Sequence, residues 1–417
     1  MTSQNPFAPR VPFSYPRSDA GVTLTENTSL KITHPSGQFN ARMGTSLALS
    51  GDGTKLIVGM PDGSHEEDDL FQWPPGTGRV QAYTKTNNTW TPNGPIPWHD
   101  LGSFEDVTGD ENIGRYVAMS RDGGTIASSN LLTNMVGVIG LGGLPFFGIP
   151  TDNTPGPLAL NGSGSRIVIG MPLGATTNQG RVTVYGLRLA VPGEFGSHYP
   201  IGNSLTGTAH NDNFGSEVCI NDVGDIIGVG IPGSDTVGNN LGAVKVYKLI
   251  GTTWTQIGQT LDLFSEQKVT SLAMNSAGDI ICIGSAFNQP FPTSEPYGEV
   301  SVYKFDGSHW NLLGHKLVNF FTVNAQIGHA VAISSDGYTI VASNGASTLT
   351  SSSYNETVSV FRYNGFDWKL VGSFVGPSNT AQNGYSLAIS SDGKTIIAGA
   401  PGTNSNRGEV RYFTLNV

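Results

Sequence analysis

The sequence predicts an all-β protein, a seven-bladed β-propeller, and the main observation is a repeated strand-turn-strand unit. The clearest copies occupy residues 44–59, 328–343 and 384–399. Each begins with an apolar strand that carries a small residue, continues through an Asp-Gly turn and ends with a second apolar strand. Such a unit cannot bury its apolar surface alone, so the copies are expected to stack on one another.

Seven turn glycines, one in each copy of the unit, give the number of blades. They are Gly53, Gly123, Gly164, Gly224, Gly278, Gly337 and Gly393. Successive glycines are 41 to 70 residues apart, which is enough for one four-stranded blade each. Seven units therefore predict a seven-bladed ring.

Composition agrees with many short strands joined by tight turns. Of the 417 residues only 13% are charged, whereas 56 are glycine, and turns draw on Gly, Asn, Asp and Ser. Helix is expected to be nearly absent. Because no linker-like stretch interrupts the repeats, we predict one propeller over residues 22–417, preceded by an extended proline-rich arm over residues 1–21.

The first strand of each unit places a small residue between two larger apolar ones, as in Leu387-Ala388-Ile389. Side chains alternate between the faces of a strand, so the small residue should face a closely approaching blade. Cys219 occupies this small position in the fourth unit, and Cys282 occupies an apolar position of a second strand. Both are predicted to be buried, reduced thiols.

The outer part of each blade has its own pattern. Third strands alternate Val with polar residues, which predicts one solvated face. Fourth strands carry a Trp seven residues after an aromatic residue and a Gly four residues after the Trp; the sets are Tyr83, Trp90, Gly94; Tyr247, Trp254, Gly258; Tyr303, Trp310, Gly314; and Phe361, Trp368, Gly372. Recurrence at one position favours structural packing over sugar stacking.

The seventh unit reaches Val417 directly after its third strand, so its fourth strand must come from elsewhere. Residues 22–32 stand where other units have an outer strand. We therefore predict that this N-terminal segment completes the last blade and closes the ring, which would satisfy an otherwise exposed strand edge.

The repeats resemble the FG-GAP repeats of integrin-α-like propellers. Phe214-Gly215 opens the fourth unit and Gly399-Ala400-Pro401 closes the second strand of the seventh, with variants at residues 59–61, 170–172 and 230–232. The chain is also similar to repeat proteins encoded by large DNA viruses of protists and to microbial surface proteins. The resemblance implies the fold and leaves the function open, because this propeller type carries unrelated roles.

Several kinds of site are not indicated. Integrin-type repeats bind calcium through several carboxylates in one loop, whereas the turn aspartates here stand alone. The eight histidines show no zinc-ligand spacing, and no nucleophile elbow or phosphate-binding loop is found. We predict no catalytic residues, no cofactor and no metal. A net charge of -10 and a pI near 5.2 argue against a nucleic-acid partner, and no apolar run predicts membrane insertion.

An acidic insertion in the first unit is the candidate partner-binding loop. Its residues are Asp62, His65, Glu66, Glu67, Asp68, Asp69, Phe71 and Trp73. The carboxylates create a strong negative field, and the two aromatic residues are of the type enriched at protein interfaces. A solvated loop and a cation site are the alternatives.

These observations predict a non-enzymatic interaction module whose loops and N-terminal arm bind other proteins. The leading interpretation is a structural or surface, capsid-associated component of a large virus particle. One alternative is a carbohydrate-binding or host-attachment protein that contacts glycans, and another is a hydrolase with a site at the mouth of the propeller channel. The expected location is the virion, or otherwise the cell surface or extracellular space.

Overall fold

The ring was traced in a computed structural model that describes residues 22–33, 41–62, 78–93, 112–140, 147–175, 178–188, 196–234, 242–263, 268–286, 298–318, 327–344, 356–378 and 381–416. Within these ranges the structure is almost entirely strand, with one 3₁₀ turn, η1 (Thr28–Leu30), and one helical turn, α1 (Thr403–Asn406). None of the helical segments in the described ranges has the length and hydrophobicity needed to cross a membrane.

The strands are numbered in chain order. The first two precede the repeats: β1 (Thr23–Glu26) and β2 (Ile32–Thr33). Blades one to three contain β3 (Ser46–Leu49), β4 (Lys55–Met60), β5 (Arg79–Thr86), β6 (Thr89–Pro92), β7 (Val117–Met119), β8 (Thr125–Asn130), β9 (Met135–Gly140), β10 (Phe147–Pro150), β11 (Leu158–Leu160), β12 (Arg166–Met171), β13 (Arg181–Arg188), β14 (Ser197–Pro200) and β15 (Leu205–Thr206).

Blades four to seven contain β16 (Glu217–Ile220), β17 (Ile226–Ile231), β18 (Ala243–Ile250), β19 (Thr253–Gln256), β20 (Leu261–Asp262), β21 (Lys268–Met274), β22 (Ile280–Ala286), β23 (Glu299–Phe305), β24 (Trp310–Leu312), β25 (Leu317–Val318), β26 (Ile327–Ile333), β27 (Thr339–Asn344), β28 (Thr357–Tyr363), β29 (Trp368–Val375), β30 (Leu387–Ile389), β31 (Thr395–Ala400) and β32 (Glu409–Asn416).

Across the described ranges these strands form seven antiparallel sheets, which confirms the seven-bladed propeller. Six sheets are built on four consecutive strands, and the seventh consists of β30, β31 and β32 with β1 as its fourth strand. In blades three, four, five and seven a short extra strand also pairs with the third strand. Because the strands alternate in direction, all first turns lie at one end of the ring, here called the turn face. The connections from second to third strands lie at the opposite end, the loop face.

The last blade is closed by the N-terminal segment, as predicted. Strand β1 pairs antiparallel with β32, placing Thr23 opposite Asn416 and Glu26 opposite Phe413. The segment is not the single strand expected over residues 22–32, because η1 interrupts it before β2 pairs with the start of β32. Two short strands therefore pair with one long one, β32.

The turn glycines adopt the conformation for which they were identified. All seven have positive φ, from 65° at Gly123 to 82° at Gly224 and Gly278, a region that costs other residues strain. In the first turn Ser50 Oγ donates to Asp52 Oδ1 over 2.6 Å, and Asp52 Oδ1 accepts the Thr54 N–H over 3.0 Å. The turn aspartate thus hydrogen-bonds within its own turn.

The small residues of the first strands face the next blade, as predicted. Ala48 packs in a cluster shared with blade two, whereas Leu47 and Leu49 pack against blade seven. Cys219 and Cys282 are buried and free. Burial raises the pKa of the Cys219 thiol to about 12, so both the packing and the protonation state make it unreactive.

In blades one, five and seven the third strands differ from the sequence-based prediction of a wet face, whereas Lys245 and Ser359 in blades four and six are partly exposed. Gln81, Ser301 and Arg411 are polar residues of these strands, yet each is more than 90% buried. They are hydrogen-bonded: Gln81 Nε2 donates to Asn93 O over 2.8 Å, and Ser301 Oγ donates to Glu299 Oε1 over 2.6 Å. The reason is that the next strand and the neighbouring blades cover the third strand, so its polar residues join strands together.

The recurrent Trp joins successive blades. Trp254 Nε1 donates to Ile201 O over 2.8 Å in the preceding blade. Equivalent bonds of 3.1 and 2.7 Å join Trp310 to Ile257 and Trp368 to Leu313. Each indole covers a glycine at the end of the preceding fourth strand, where a Cβ would come within 3.0 Å of the ring. We call this arrangement the Trp–Gly joint; it confirms structural packing at these three positions.

Other residues occupy the Trp position in blades three and seven. His198 of blade three lies parallel to Phe147 of blade two, with ring centroids 6.4 Å apart. In blade seven Leu24 of β1 covers Gly372, leaving a Cβ at that glycine only 2.7 Å from the Leu24 Cβ. The joint therefore continues around the ring with smaller or different side chains where its sequence signature is lost.

Candidate functional site

The acidic insertion begins at the loop face, directly after β4. Asp62 is half-exposed, and its Oδ2 lies 3.8 Å from an Arg42 guanidinium nitrogen. The other candidate residues, His65, Glu66, Glu67, Asp68, Asp69, Phe71 and Trp73, lie outside the described residues. The partner-binding role of this segment stays a prediction.

At the turn face, the seven first turns are linked by backbone hydrogen bonds around the channel axis. Gly51 N–H donates to Arg121 O, and each following turn donates to the next until Ser391 N–H donates to Gly51 O. The seven bonds are 2.7 to 3.1 Å long. The turns thereby form a closed polar ring that holds every blade at a fixed distance from the axis.

Arg121 lies across this end of the channel and ties four blades together. Its Nε donates to Asp222 Oδ1 over 2.6 Å, and its Nη1 donates to Ser391 Oγ over 3.0 Å and also to Ser335 Oγ. Ser276 Oγ donates to the other oxygen of Asp222. One side chain of blade two thus reaches blades four, six and seven, and an open depression of about 650 Å³ remains above it.

Four charged side chains line that depression, but they satisfy one another or their own turns. Asp222 pairs with Arg121, while Asp52 and Asp122 accept hydrogen bonds from the serine and backbone of their turns. Within the described residues, three or more His, Cys, Asp or Glu side chains nowhere form a group suited to a metal ion. A pair of acids acting on a substrate would need carboxyl oxygens that are open to it. In this network the charged groups bond to one another or to their own turns and so link the blades.

The loop-face end of the channel carries a different group of titratable residues. Glu217, at the start of the first strand of blade four, makes no hydrogen bond within the described part of the chain, and burial raises its pKa to about 8. By accessible surface the residue is partly buried. His329 and Tyr385 lie nearby on blades six and seven, with ring centroids 5.3 Å apart, and burial lowers the pKa of His329.

Two of these residues were missed in the sequence although a signal was present. Arg121 occupies a turn position that is Gly51, Ser335 or Ser391 in other blades, and Glu217 occupies a position held elsewhere by Ser46, Ser271 and Ser386. Both positions also hold a large or charged residue in one other blade, Asp222 at the first and Tyr116 at the second. A change from a small to a charged residue in the aligned units was therefore a signal, although it did not single out these two residues.

Comparison with known proteins supports the architecture. No family model matches the chain, and no curated protein sequence matches it. Among solved structures, hydrazine synthase from Kuenenia stuttgartiensis superposes with a TM-score of 0.58 at 12% identity, covering 91% of this chain and 97% of that one. The Swd1 β-propeller domain from Myceliophteria thermophila superposes with a TM-score of 0.56 at 13% identity, covering 92% and 99%. At these identities the likeness shows the fold alone: the chain is a seven-bladed β-propeller.

Proposed function

We propose that this propeller is a non-enzymatic interaction module that binds protein partners through the loop face of blades one to three. The observation that carries the proposal is the exposure of two leucines on neighbouring turns of that face. Leu132 in blade two is 47% exposed and Leu173 in blade three is 52% exposed. Both follow the second strand of their blade, which is the position of Asp62 and the acidic insertion in blade one.

The chemistry of this surface suits a partner that is both basic and apolar. The insertion supplies Asp62, Glu66, Glu67, Asp68 and Asp69 beside two aromatic residues. Complementary charge speeds encounter, and apolar side chains supply most of the binding energy once water is excluded. The opposite end of the channel is filled by the Arg121 network, so the ring itself serves as a rigid support.

The finer interpretation is that the chain is an FG-GAP-type propeller and a structural or surface component of a large virus particle, with the proline-rich arm over residues 1–21 as a second contact. Its support is the repeat pattern of the sequence, the rigid ring and the loops that surround it. Quantitative mass spectrometry of purified particles and of cell fractions from the source tests this interpretation. Enrichment in the cytosol, with none in particles or on the cell surface, would refute it.

The interaction surface itself is tested by affinity capture with matched variants. Replacing Leu132 and Leu173 with Asp, or residues 66–69 with Ser, should remove a partner that the unchanged chain retains. Val223→Asp is the control, because Val223 is 68% exposed on the turn face at the other end of the ring. A partner lost equally from all three variants, or from none, would contradict this surface.

The alternatives draw little support from the described residues. Sugar stacking would need exposed indoles, but Trp254, Trp310 and Trp368 are at most 3% exposed. Trp90 is partly buried, with its ring edge-to-face against Tyr412. A hydrolase would need open catalytic groups at the channel mouth, where Arg121 and Asp222 are paired. A glycan array and an ester and glycoside substrate panel, each run on the purified chain, are the direct checks of these two functions.

A further inference from the structure

A pocket between blades three and four is distinct from the surface proposed above. It has a volume of about 370 Å³ and is half-enclosed. Its lining includes Thr206, Thr208, Asp212, Phe214, Ile231 and Lys245. The size lies within the range of small-molecule sites, and the lining combines an apolar part with a few polar groups, as such sites do.

Asp212 supplies an open acceptor to this pocket. The residue is only 4% exposed, and its Oδ2 accepts the backbone N–H groups of Thr208 and Ala209, both over 2.8 Å. Its Oδ1 makes no hydrogen bond within the described residues. The bonds to Oδ2 fix the orientation of the carboxylate, so Oδ1 is a positioned negative group with unused acceptor capacity.

Lys245 supplies a positive group that is likewise unpaired in the described part of the chain. It has neither a hydrogen bond nor a salt bridge there. Its nearest acid on the adjoining strand is Asp262, whose carboxyl pKa is raised by burial and lowered in part by Lys245. The two do not come within salt-bridge distance, and neither do Lys245 and Asp212. Separate charges of opposite sign thus share one pocket.

The same strand position in blade seven shows how a buried cation is satisfied when the chain provides partners. Arg411 corresponds to Lys245, and it binds both carboxylate oxygens of Glu26 over 2.8 and 2.9 Å. Its Nη1 also donates to Val375 O and to Asn383 Oδ1. In blade four the equivalent of Glu26 is Gln256, which hydrogen-bonds toward Gly258 and Thr260 instead. In blade four no carboxylate takes the place of Glu26, so the position beside Lys245 is open to a ligand.

We propose that this pocket binds a small zwitterion of the α-amino-acid type. The ligand carboxylate pairs with the Lys245 ammonium group, the ligand ammonium group pairs with Asp212 Oδ1, and an apolar ligand side chain contacts Phe214 and Ile231. Thr206 and Thr208 also line the pocket and supply hydroxyl groups for further polar contacts. This site uses none of the residues named for the protein-binding surface on blades one to three.

The test removes one ligand charge at a time. L-leucine is titrated into the full chain by calorimetry, beside isocaproate, which lacks the ammonium group, and isoamylamine, which lacks the carboxylate. L-leucine should bind, and each analogue should bind at least about tenfold more weakly, since one charged hydrogen bond is lost. No heat and no saturation-transfer signal with L-leucine or with glycine, the smallest α-amino acid, would overturn the proposal.

Variants then assign the two charges. Lys245→Met should abolish the advantage of L-leucine over isoamylamine, and Asp212→Asn should abolish its advantage over isocaproate. Lys248→Met, at an exposed position of the same strand, is the control and should bind as the unchanged chain does. Equal binding by Lys245→Met and the unchanged chain would refute the site.

Discussion

The outer joints of blades four to six and the closing joint of blade seven both attach a fourth strand to the preceding blade, but they use different side chains. In blades four to six a Trp packs on a glycine of the preceding blade and donates one indole hydrogen bond to it. In blade seven the smaller Leu24 takes the Trp position against Gly372. There Arg411 adds a two-fold salt bridge to Glu26 and bonds to blade six.

The difference follows from how each fourth strand is attached. In blades four to six the fourth strand follows its third strand directly through a tight hairpin, so the chain holds it in place. Strand β1 has no such connection to β32, because Glu26 and Arg411 are 385 residues apart. A strand delivered from the other end of the sequence needs specific side-chain contacts to fix its register, and a bidentate pair provides both energy and direction.

The largest effect is expected from removing the closing strand. Deleting residues 1–33 removes β1 and β2 and leaves the edge of β32 unpaired, so the domain should lose cooperative unfolding and aggregate. Deleting residues 1–18 is the control and should leave the ring intact. Thermal melts and size-exclusion chromatography compare the two; a longer deletion that is monodisperse and melts like the full chain would contradict the closing role of β1.

Breaking a Trp–Gly joint should cost less, since chain connectivity remains. Trp310→Ala removes a side chain that is 2% exposed, which should lower the free energy of unfolding by about 3 to 5 kcal/mol. Leu312→Ala is the control on the same strand, because Leu312 is 42% exposed. Chemical denaturation measures both variants. Similar small losses would show that the indole is not what joins blades four and five.

The closing salt bridge is expected to contribute a smaller amount. Glu26→Ala leaves the buried guanidinium of Arg411 without its carboxylate, and hydrogen bonds to charged groups contribute roughly 1.5 to 3 kcal/mol. Thr25→Ala changes the adjacent residue of β1 and should be nearly silent. Urea denaturation measures the stability of both variants. Glu26→Ala should also increase the rate of backbone hydrogen exchange along β1. Unchanged exchange there would mean that strand pairing alone fixes the register.

A further prediction concerns the first strands, whose small residue packs against the next blade. Ala388 of blade seven packs against Leu56 and Val58 of blade one, so Ala388→Leu should overpack this contact and destabilise by about 1 to 3 kcal/mol. Lys394→Leu, at an exposed turn position, is the control. If thermal shifts of the two variants are equal, the small residue does not face the neighbouring blade.

The last effect depends on pH and concerns the inner edge of blade four. Because burial raises the pKa of Glu217 from 4.5 to about 8, the folded state keeps a proton that the unfolded chain releases. Stability from this group is therefore full below pH 4.5 and is lost as the pH rises toward 8. The melting temperature of Glu217→Gln should equal that of the unchanged chain in acid and should exceed it in alkali. Parallel melting curves across this range would exclude a buried, protonated carboxyl group.

The sequence was sufficient for the parts of the fold that repeat locally. The seven turn glycines predicted the blade count, and residues 22–32, which stand where other units have an outer strand, were predicted to close the ring; β1 and β2 do so. Contacts between distant residues were not accessible in the same way. Arg121 donates a hydrogen bond to Ser391, which is 270 residues away in the sequence. No pattern of neighbouring residues predicts such a contact. The prediction of a solvated third strand was wrong in blades one, five and seven for a related reason, since polar alternation does not reveal whether a neighbouring blade covers the strand.

The pairing of β1 with β32 also sets the order of events when the chain is made. A ribosome adds about 5 to 20 residues per second, so roughly 20 to 80 s separate the synthesis of Glu26 from that of Arg411, given the 385 residues between them. Throughout that interval the first strand has no partner of its own, while the blades behind it can already fold. Completion of the ring is thus the last step, and the cell must keep one short strand from pairing elsewhere until its partner emerges.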